Sequence, residues 1–447
     1  MVGTIFSGPT TADALAAYWN PAAMGLLDGH QLLIFTGATL IGMSYDRTSP
    51  SGLDGSRFPR ADLFVAKPDI AAGFVSDLGT RRLRVGFAFA TPVLDGARWA
   101  ERYDGRPSST RYYALEGRAV HLLLRPAISY TVHRVLSLGV GLDVIGVWLI
   151  SDSMIDLGAT LNHAICEALA SPSCHADAPL AREDPAYAAR TRVEGTGWGV
   201  GASAGVLLQP WPWLRLGVGF SSGAREVAVP MEINVALPQA AVDFVRRNLP
   251  SLRLPELHAR ADVLTYSPMM LTAGVMVRPS EQLEVAADLH WIQKSRTGTM
   301  TVRILETTSQ LITSQYMDKL VEDAYTVGLR VGYRLRPELA LAGRVEFTSN
   351  TMPERFTTPV SLDYDKLHLQ AGLSWRVAWW LDLVGEVGYT ALFPRTVTVS
   401  AFGPNATART PLEASFDLPS PVGSYSGYAV NANLAFSLRL TRPRSTP

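Results

Sequence analysis

Along most of its length the chain alternates apolar and polar residues with a period of two. In "LEVAADLHW", Leu283, Val285, Ala287, Leu289 and Trp291 alternate with Glu284, Ala286, Asp288 and His290. In "YTVGLRVGYR", Tyr325, Val327, Leu329, Val331 and Tyr333 face away from Thr326, Gly328, Arg330, Gly332 and Arg334. "KLHLQAGLSWR" sets Leu367, Leu369, Ala371, Leu373 and Trp375 against Lys366, His368, Gln370, Gly372, Ser374 and Arg376. A last run opposes Tyr428, Val430, Ala432, Leu434, Phe436, Leu438 and Leu440 to Asn431, Asn433, Ser437 and Arg439. Runs of about ten residues are the length at which a tilted strand crosses a bilayer. The polar faces hold glycines, small residues and isolated charges, as a lumen lining would.

Fourteen such segments are predicted, over 31–44, 62–76, 81–92, 114–132, 135–154, 193–208, 213–225, 263–278, 282–297, 320–334, 338–350, 363–377, 380–393 and 426–441. The links after the even-numbered ones are short: "DLGTR", "HR", "QPWP", "RPSEQ", "RPE" and "VAW". The links after the odd-numbered ones are long, above all around 155–192 and 226–262. Tight turns at one end and long loops at the other define the layout of an outer-membrane barrel. Trp211, Trp213, Tyr333, Trp375, Trp379 and Trp380 cluster by the short turns, where an interfacial girdle belongs. The expected fold is therefore all-β, a 14-stranded antiparallel transmembrane β-barrel. A large soluble all-β protein also alternates, but rarely keeps such long strands with such regular connections.

Composition narrows the function classes. With Lys+Arg 40 against Asp+Glu 40, nothing electrostatic calls for nucleic acid as a partner. The most apolar stretch, "VLSLGVGLDVIGVWLI" from Val135 to Ile150, carries Asp143 and several glycines and does not read as a membrane helix. "MVGTIFSGPTTAD" has neither the basic start nor the apolar core of a secretory leader, so either a leader has been removed or the start is late. Neither H-E-x-x-H nor a phosphate-cradling glycine loop before a helix occurs, and a non-enzyme without cofactor is expected. Cys166 and Cys174, in one polar connection, suggest a local disulfide and an oxidising compartment. His163 and His175 beside them raise a Cys2His2 metal site, but the spacing is not that of a zinc finger and no metal is expected.

Near the start lies "LAAYWNPAAMGLL", Leu15 to Leu27, with small apolar residues, one Asn-Pro and no charge before Asp28. It should be buried, yet it is too short and too broken to span a membrane. With "AAYWNPAAMGLL", the sequence resembles the FadL-type outer-membrane transporters of long-chain fatty acids and aromatic hydrocarbons. The resemblance continues through "YSPMMLTAGVMVRPSEQLEVAADLHWIQKS", "EDAYTVGLRVGYRLRPELALAGRVEF" and "MPERFTTPVSLDYDKLHLQAGLSW", in family order from about Gly3 to Leu440.

The resemblance implies a small hatch inside a barrel, with 1–30 as hatch, 31–441 as barrel and 442–447 as a tail. It implies loop capture of apolar ligands, an internal pocket and sideways release beside a kink in the third strand. Here that strand is "RRLRVGFAFATPVLDG", and its kink is expected around Ala90 to Leu94, where Thr91 and Pro92 interrupt the ladder. Asn20, Pro21 and Ala22 of the hatch, with Ala90, Thr91 and Pro92, are the candidate gate. Asn20 is expected to bond backbone left unpaired at the kink.

Candidate capture residues come from the two longest loops. These are Val235, Leu237, Val242, Phe244, Val245 and Leu249 in one, and Ile155, Leu157, Leu161 and Ile165 in the other. Alternatively these side chains pack on one another as a lid. Arg246 and Arg247 could meet a carboxylate, or be simply solvated. Glu284, Asp288, Arg330, Arg344, Glu346, Arg376, Glu386 and Arg439 are expected to pair across strands and anchor the hatch rather than to mark a polar solute path.

The expected function is passive uptake of hydrophobic molecules by a monomer in the bacterial outer membrane, in contact with membrane lipid and lipopolysaccharide. A diffusion pore for polar solutes and an adhesive barrel are the alternatives.

Overall fold

The computed structural model describes residues 2–48, 58–159, 161–162, 165, 180–181, 183–248, 257–308, 315–318, 320–401 and 419–441. It is a closed antiparallel barrel of fourteen strands. β1 (His30–Arg47), β2 (Ala61–Ser76), β3 (Leu83–Arg98), β4 (Glu116–His133), β5 (Leu136–Asp156) and β6 (Ala188–Trp211) follow in order. Each of the next four is in two pieces. β7 is Leu214–Ser221 and Val227–Ala236, and β8 is Leu257–Thr265 and Met270–Val277. β9 is Leu283–Ile292 and Thr299–Thr307, and β10 is Gln315–Asp318 and Ala324–Arg336. β11 (Leu339–Thr348), β12 (Lys366–Ala378), β13 (Leu381–Val397) and β14 (Gly423–Arg439) complete the wall. β14 then pairs with β1 from Gln31↔Arg439 to Arg47↔Gly423, so the sheet closes on itself.

The period-two pattern sorts side chains between lipid and lumen. Val140, Leu142, Val200, Val218, Val327, Val387 and Leu434 form an exposed apolar band. At the short-turn end Trp211 and Trp213 stack with ring centroids 5.3 Å apart, and Trp375, Trp379 and Trp380 are exposed beside them. Toward the other end Trp148 and Trp198 face outward. The wall thus carries aromatic residues at both rims, as a bilayer requires.

The region 226–262, expected as a loop, instead carries the second piece of β7, the first piece of β8 and a helix between them. Its alternation persists: Val227, Val229 and Met231 are buried while Ala228, Pro230 and Glu232 are exposed. Outward positions turn polar here because the wall has risen beyond the apolar band. The regions 155–192 and 298–319 are likewise shortened as loops by the ends of β5, β6, β9 and β10.

Residues 2–27 run inside the barrel as a short helix, α1 (Ala16–Trp19), and a 3-10 turn over Pro21–Leu26. Leu15, Ala16, Ala17, Asn20, Pro21, Ala22, Ala23 and Met24 are all buried. Strand glycines make this close approach possible. A Cβ on Gly219 would lie 2.1 Å from the Trp19 carbonyl oxygen, and one on Gly217 2.3 Å from that of Pro9. Gly139 and Gly73 meet the backbone of Ala22 and Ala14 in the same way. A strand can receive another backbone this tightly only where it has no side chain. Gly219→Val is therefore expected to displace the segment, at a cost of about 1–3 kcal/mol for overpacking. Limited proteolysis of the purified barrel should cleave the N-terminal segment faster in the variant than in the parent.

Candidate functional site

The internal segment is tied to the wall by polar groups on many strands. Asn20 sits at its bend: its side-chain amide donates to the carbonyls of Pro9 (2.9 Å) and Val206 (3.0 Å), and its oxygen accepts from the Ala22 N–H (3.1 Å). The expected bond from Asn20 to the third strand is not made. Asn20 caps the turn that Pro21 begins and reaches β6 instead, because the following residues supply the nearest orphan donor. Thr272 Oγ1 donates to the Trp19 carbonyl (2.9 Å), and Ser129 Oγ to that of Ala22 (3.2 Å). Glu386 accepts from the Ile5 N–H (2.6 Å), and Arg344 donates to the Ser7 carbonyl (3.2 Å).

The strongest tie is one that the sequence reading did not single out. Arg125 on β4 and Asp143 on β5 are both fully buried and form a two-pronged ion pair, Nε to Oδ1 at 2.6 Å and Nη2 to Oδ2 at 2.9 Å. Ser221 donates to the same carboxylate at 2.6 Å, and the remaining Arg125 nitrogen donates to the Tyr18 carbonyl. Its signal was Asp143 itself, a charge at an inward-alternating position of the most apolar stretch of the chain.

Of the lumen charges expected to pair across strands, Glu284 bridges Arg278 and Arg330, each at 3.0 Å. Arg344 lies between Asp288 (3.4 Å) and Glu346 (3.1 Å). Arg376 and Arg439 share Asp382 near the short turns.

Among the described residues the wall's pairing breaks between β2 and β3, as it also does over Thr196–Ala202 between β6 and β7. β2 and β3 pair only from Ser76↔Val85 to Ala71↔Ala90. Outward of that point, Ala61–Ile70 of β2 and Thr91–Arg98 of β3 share no ladder, although each still pairs with its other neighbour. The cause lies in β3. Against β4 its register passes from Ala90↔Leu123 to Val93↔His121, so that Thr91 and Pro92 together oppose a single residue. This is a β-bulge, and it bends the strand away from β2. Pro92 also lacks the N–H that a continuing ladder would need.

The window has defined ends. Thr91 Oγ1 donates to the Ile70 carbonyl (3.3 Å) at its inner end, and Tyr103 Oη to the Asp62 carbonyl (2.9 Å) at its outer end. The span from Ile70 to Asp62 is roughly 26 Å along the strand. Phe64 and Ile70 flank it on the lipid side, both exposed. Ala88 and Ala90, just inside the bulge, pack in the same core as Ala14–Trp19 of the internal segment.

Behind the outer part of the window is an aromatic cluster that sequence reading missed. Tyr45, Ala61, Leu63, Trp99, Ala114, Tyr364, Val397 and Tyr425 are buried together, with Met43, Ala97 and Leu392 packed against them. Tyr45 and Tyr425 stack at 4.6 Å. Leu63 and Ala97 come from the two strands that border the window. Beside the cluster Arg47 and Glu183 form a buried pair at 2.7 and 2.8 Å. Asp363 steadies the loop that carries Tyr364: burial works against its charge, but Lys366, Lys294 and the Thr351 hydroxyl hold its carboxyl below the ordinary range.

The capture residues expected from the long loops do come together, on one another. Helix α2 (Gln239–Asn248) buries Ala241 and Val245 against Leu157, Leu161, Leu180 and Ala189, with Val235, Leu237 and Phe244 partly buried around them. Val242, Ile155 and Ile165 are half-buried. The lid arrangement therefore describes them. Arg246 and Arg247 are exposed on α2, Arg246 3.9 Å from Asp243. Leu249, Cys166 and Cys174, with His163 and His175, lie outside the described residues, and with them the expected disulfide.

Gly201–Gly205 reads "GASAG", the spelling of a hydrolase nucleophile motif. Ser203 lies within β6, not on a strand-to-helix turn, so the strained elbow that chemistry needs is missing. A hollow of about 630 Å³ among Leu329, Val345, Leu369, Val387 and Tyr389 lies on the lipid-facing wall, away from the lumen.

A closed barrel with an apolar outer band, paired aromatic rims and a lumen filled by its own N-terminal segment is an outer-membrane channel protein. The chain belongs to the outer membrane protein transport protein family (OMPP1/FadL/TodX), whose model matches residues 2–436. The family consists of outer-membrane transport channels for hydrophobic compounds, not of enzymes. Among solved structures, a FadL homologue of Pseudomonas aeruginosa is similar at a TM-score of 0.76 and 15% identity, with 97% of this chain and 96% of that one covered. The Pseudomonas putida toluene transporter TodX is similar at 0.64 and 14%, covering 99% and 100%. The Ralstonia pickettii toluene transporter TbuX is similar at 0.61 and 15%, covering 98% and 100%. At these identities the likeness concerns the fold. The sequence has no match among curated proteins.

Proposed function

We propose that this chain carries hydrophobic molecules, fatty acids or related hydrocarbons, from the outer surface through the barrel interior and sideways into the membrane between β2 and β3. The observation that carries this reading is the unpaired edge from Ala61 to Ile70, flanked by the exposed Phe64 and Ile70 and backed by the aromatic cluster. Open sheet edges are not tolerated against lipid unless they line a passage. An apolar ligand leaving there avoids water, at about 0.8 kcal/mol for each methylene kept buried.

Residues 1–30 act as a hatch, and Asn20, Pro21, Ala22, Ala90, Thr91 and Pro92 form its meeting point with the bulged strand. The lid of Leu157, Leu161, Val235, Leu237, Phe244 and Val245 is the first contact for ligand, opening by separation of α2 from the β5–β6 connection. The barrel works as a monomer. Its outer rim, where Arg118, Arg190 and Arg192 stand with Trp148, meets lipopolysaccharide.

A pore for polar solutes would need an open lumen, and buried anchors on β4 to β13 argue against one. The test joins two measurements on the same purified protein. In planar bilayers it should pass no large steady current, while vesicles containing it should take up labelled hexadecanoate or toluene faster than empty vesicles. A large ohmic current, or uptake equal to that of empty vesicles, would defeat the reading.

A further inference from the structure

Three polar groups in the aromatic cluster are left without a mate among the described residues, the Tyr45 hydroxyl, the Trp99 indole N–H and the Tyr364 hydroxyl. Trp99 and Tyr364, on which the selectivity argument turns, are 2% and 3% exposed, and neither the Trp99 Nε1–H nor the Tyr364 hydroxyl has a hydrogen-bond partner among the described residues. Buried indole and phenol groups are ordinarily satisfied, since an unpaired polar group in apolar surroundings is costly. The neighbouring hydroxyls do not meet them: Tyr425 donates to the Pro421 carbonyl (2.6 Å) and Tyr113 to that of Pro419, and neither oxygen accepts from Trp99 or Tyr364. The Glu183 carboxylate is occupied by both prongs of Arg47. Leu63, Ala97, Val397 and Leu392 around the donors offer only hydrocarbon, and Met43 a weakly accepting thioether.

We infer that this cluster is a selectivity site for apolar ligands bearing one acceptor oxygen (a carboxylate, ester or ketone), which Trp99 and Tyr364 recognise before the ligand leaves through the window. The inference rests on the transport reading and sharpens it. Unmet buried donors in largely apolar surroundings favour a ligand that brings its own oxygen. A pure hydrocarbon seated there would leave the donors unpaired. Sites built to hydrogen-bond a substrate discriminate strongly against the analogue lacking the group, because the site's own polar atoms are then stranded. The borders of the window supply Leu63 and Ala97, so whatever satisfies these donors also touches the exit.

The test compares isosteric probes that differ only in the acceptor: acetophenone and α-methylstyrene, with benzoate as the charged arm. Binding is measured by equilibrium dialysis against the full-length barrel in detergent, with empty micelles subtracted. Tyr364→Phe removes one donor without changing shape, and Trp99→Phe removes the other. Resistance to SDS without heating confirms that each variant is folded. Each substitution is expected to weaken acetophenone about tenfold, one hydrogen bond's worth, and to leave α-methylstyrene unchanged. If benzoate falls in parallel, carboxylates share the site. If benzoate holds its affinity while acetophenone falls, the donors serve neutral oxygens. Equal loss for acetophenone and α-methylstyrene, or no loss for either, overturns the inference and leaves the transport reading standing. Failure of the parent protein to bind any of the three probes overturns the inference, while uptake of hexadecanoate or toluene decides the transport reading separately.

Discussion

Replacing Arg125 with alanine is expected to cost about 3–5 kcal/mol of barrel stability, the usual penalty for stranding a buried charge. Asp143, fully buried, would keep only the Ser221 hydroxyl as a partner. The same change removes the donor to the Tyr18 carbonyl, so two effects are superposed: a weakened wall and a loosened hatch. The double variant Arg125→Met with Asp143→Leu separates them. Replacing both charges with apolar side chains of similar size should recover most of the stability, since the desolvation penalty goes with the pair. It cannot restore the bond to Tyr18. The double variant is therefore expected to unfold near the parent's denaturant midpoint and still to show ion current in planar bilayers. A parent-like midpoint in Arg125→Ala would mean that water reaches Asp143. A silent double variant would mean that the remaining ties, from Thr272, Ser129, Glu386 and Arg344, suffice to hold the segment.

The larger part of the wall was legible in the sequence because the lipid imposes the pattern. Val327, Leu329 and Val331 must be apolar where they face acyl chains, and period two follows. The pattern weakened where that demand ended. In 227–236 the outward positions are Ala228, Pro230, Glu232 and Asn234, and a strand that had risen above the membrane read as a loop. Glycines were legible as lumen lining, but not as a socket. That Gly219 admits the Trp19 carbonyl depends on a backbone two hundred residues away in the chain. The same holds for the aromatic cluster. Alternation marks Tyr45, Leu63 and Tyr425 as inward, but their common level depends on the register of β1 with β2 and β14. Thr91-Pro92 was the opposite case. A proline inside a strand is a local event, and its bulge appears at that dipeptide.

The account stands or falls on that bulge. Deleting Pro92 alone leaves Thr91 opposite Leu122 and Val93 opposite His121, which makes the ladder of β3 with β4 continuous and keeps inward residues inward. A straightened β3 can then extend its pairing with β2 beyond Ala71↔Ala90. Closing the window with about four ladder hydrogen bonds, at roughly 1 kcal/mol each, would slow its opening on the order of a thousandfold. The direct measurement is uptake of labelled hexadecanoate and toluene by cells producing the Pro92-deleted barrel, alongside binding of the same ligands to the purified protein. The account predicts uptake falling to the level of cells without the barrel while binding is retained. Uptake at the parent's rate, with β2 and β3 shown by amide exchange to be paired over Ala61–Ile70, would contradict it.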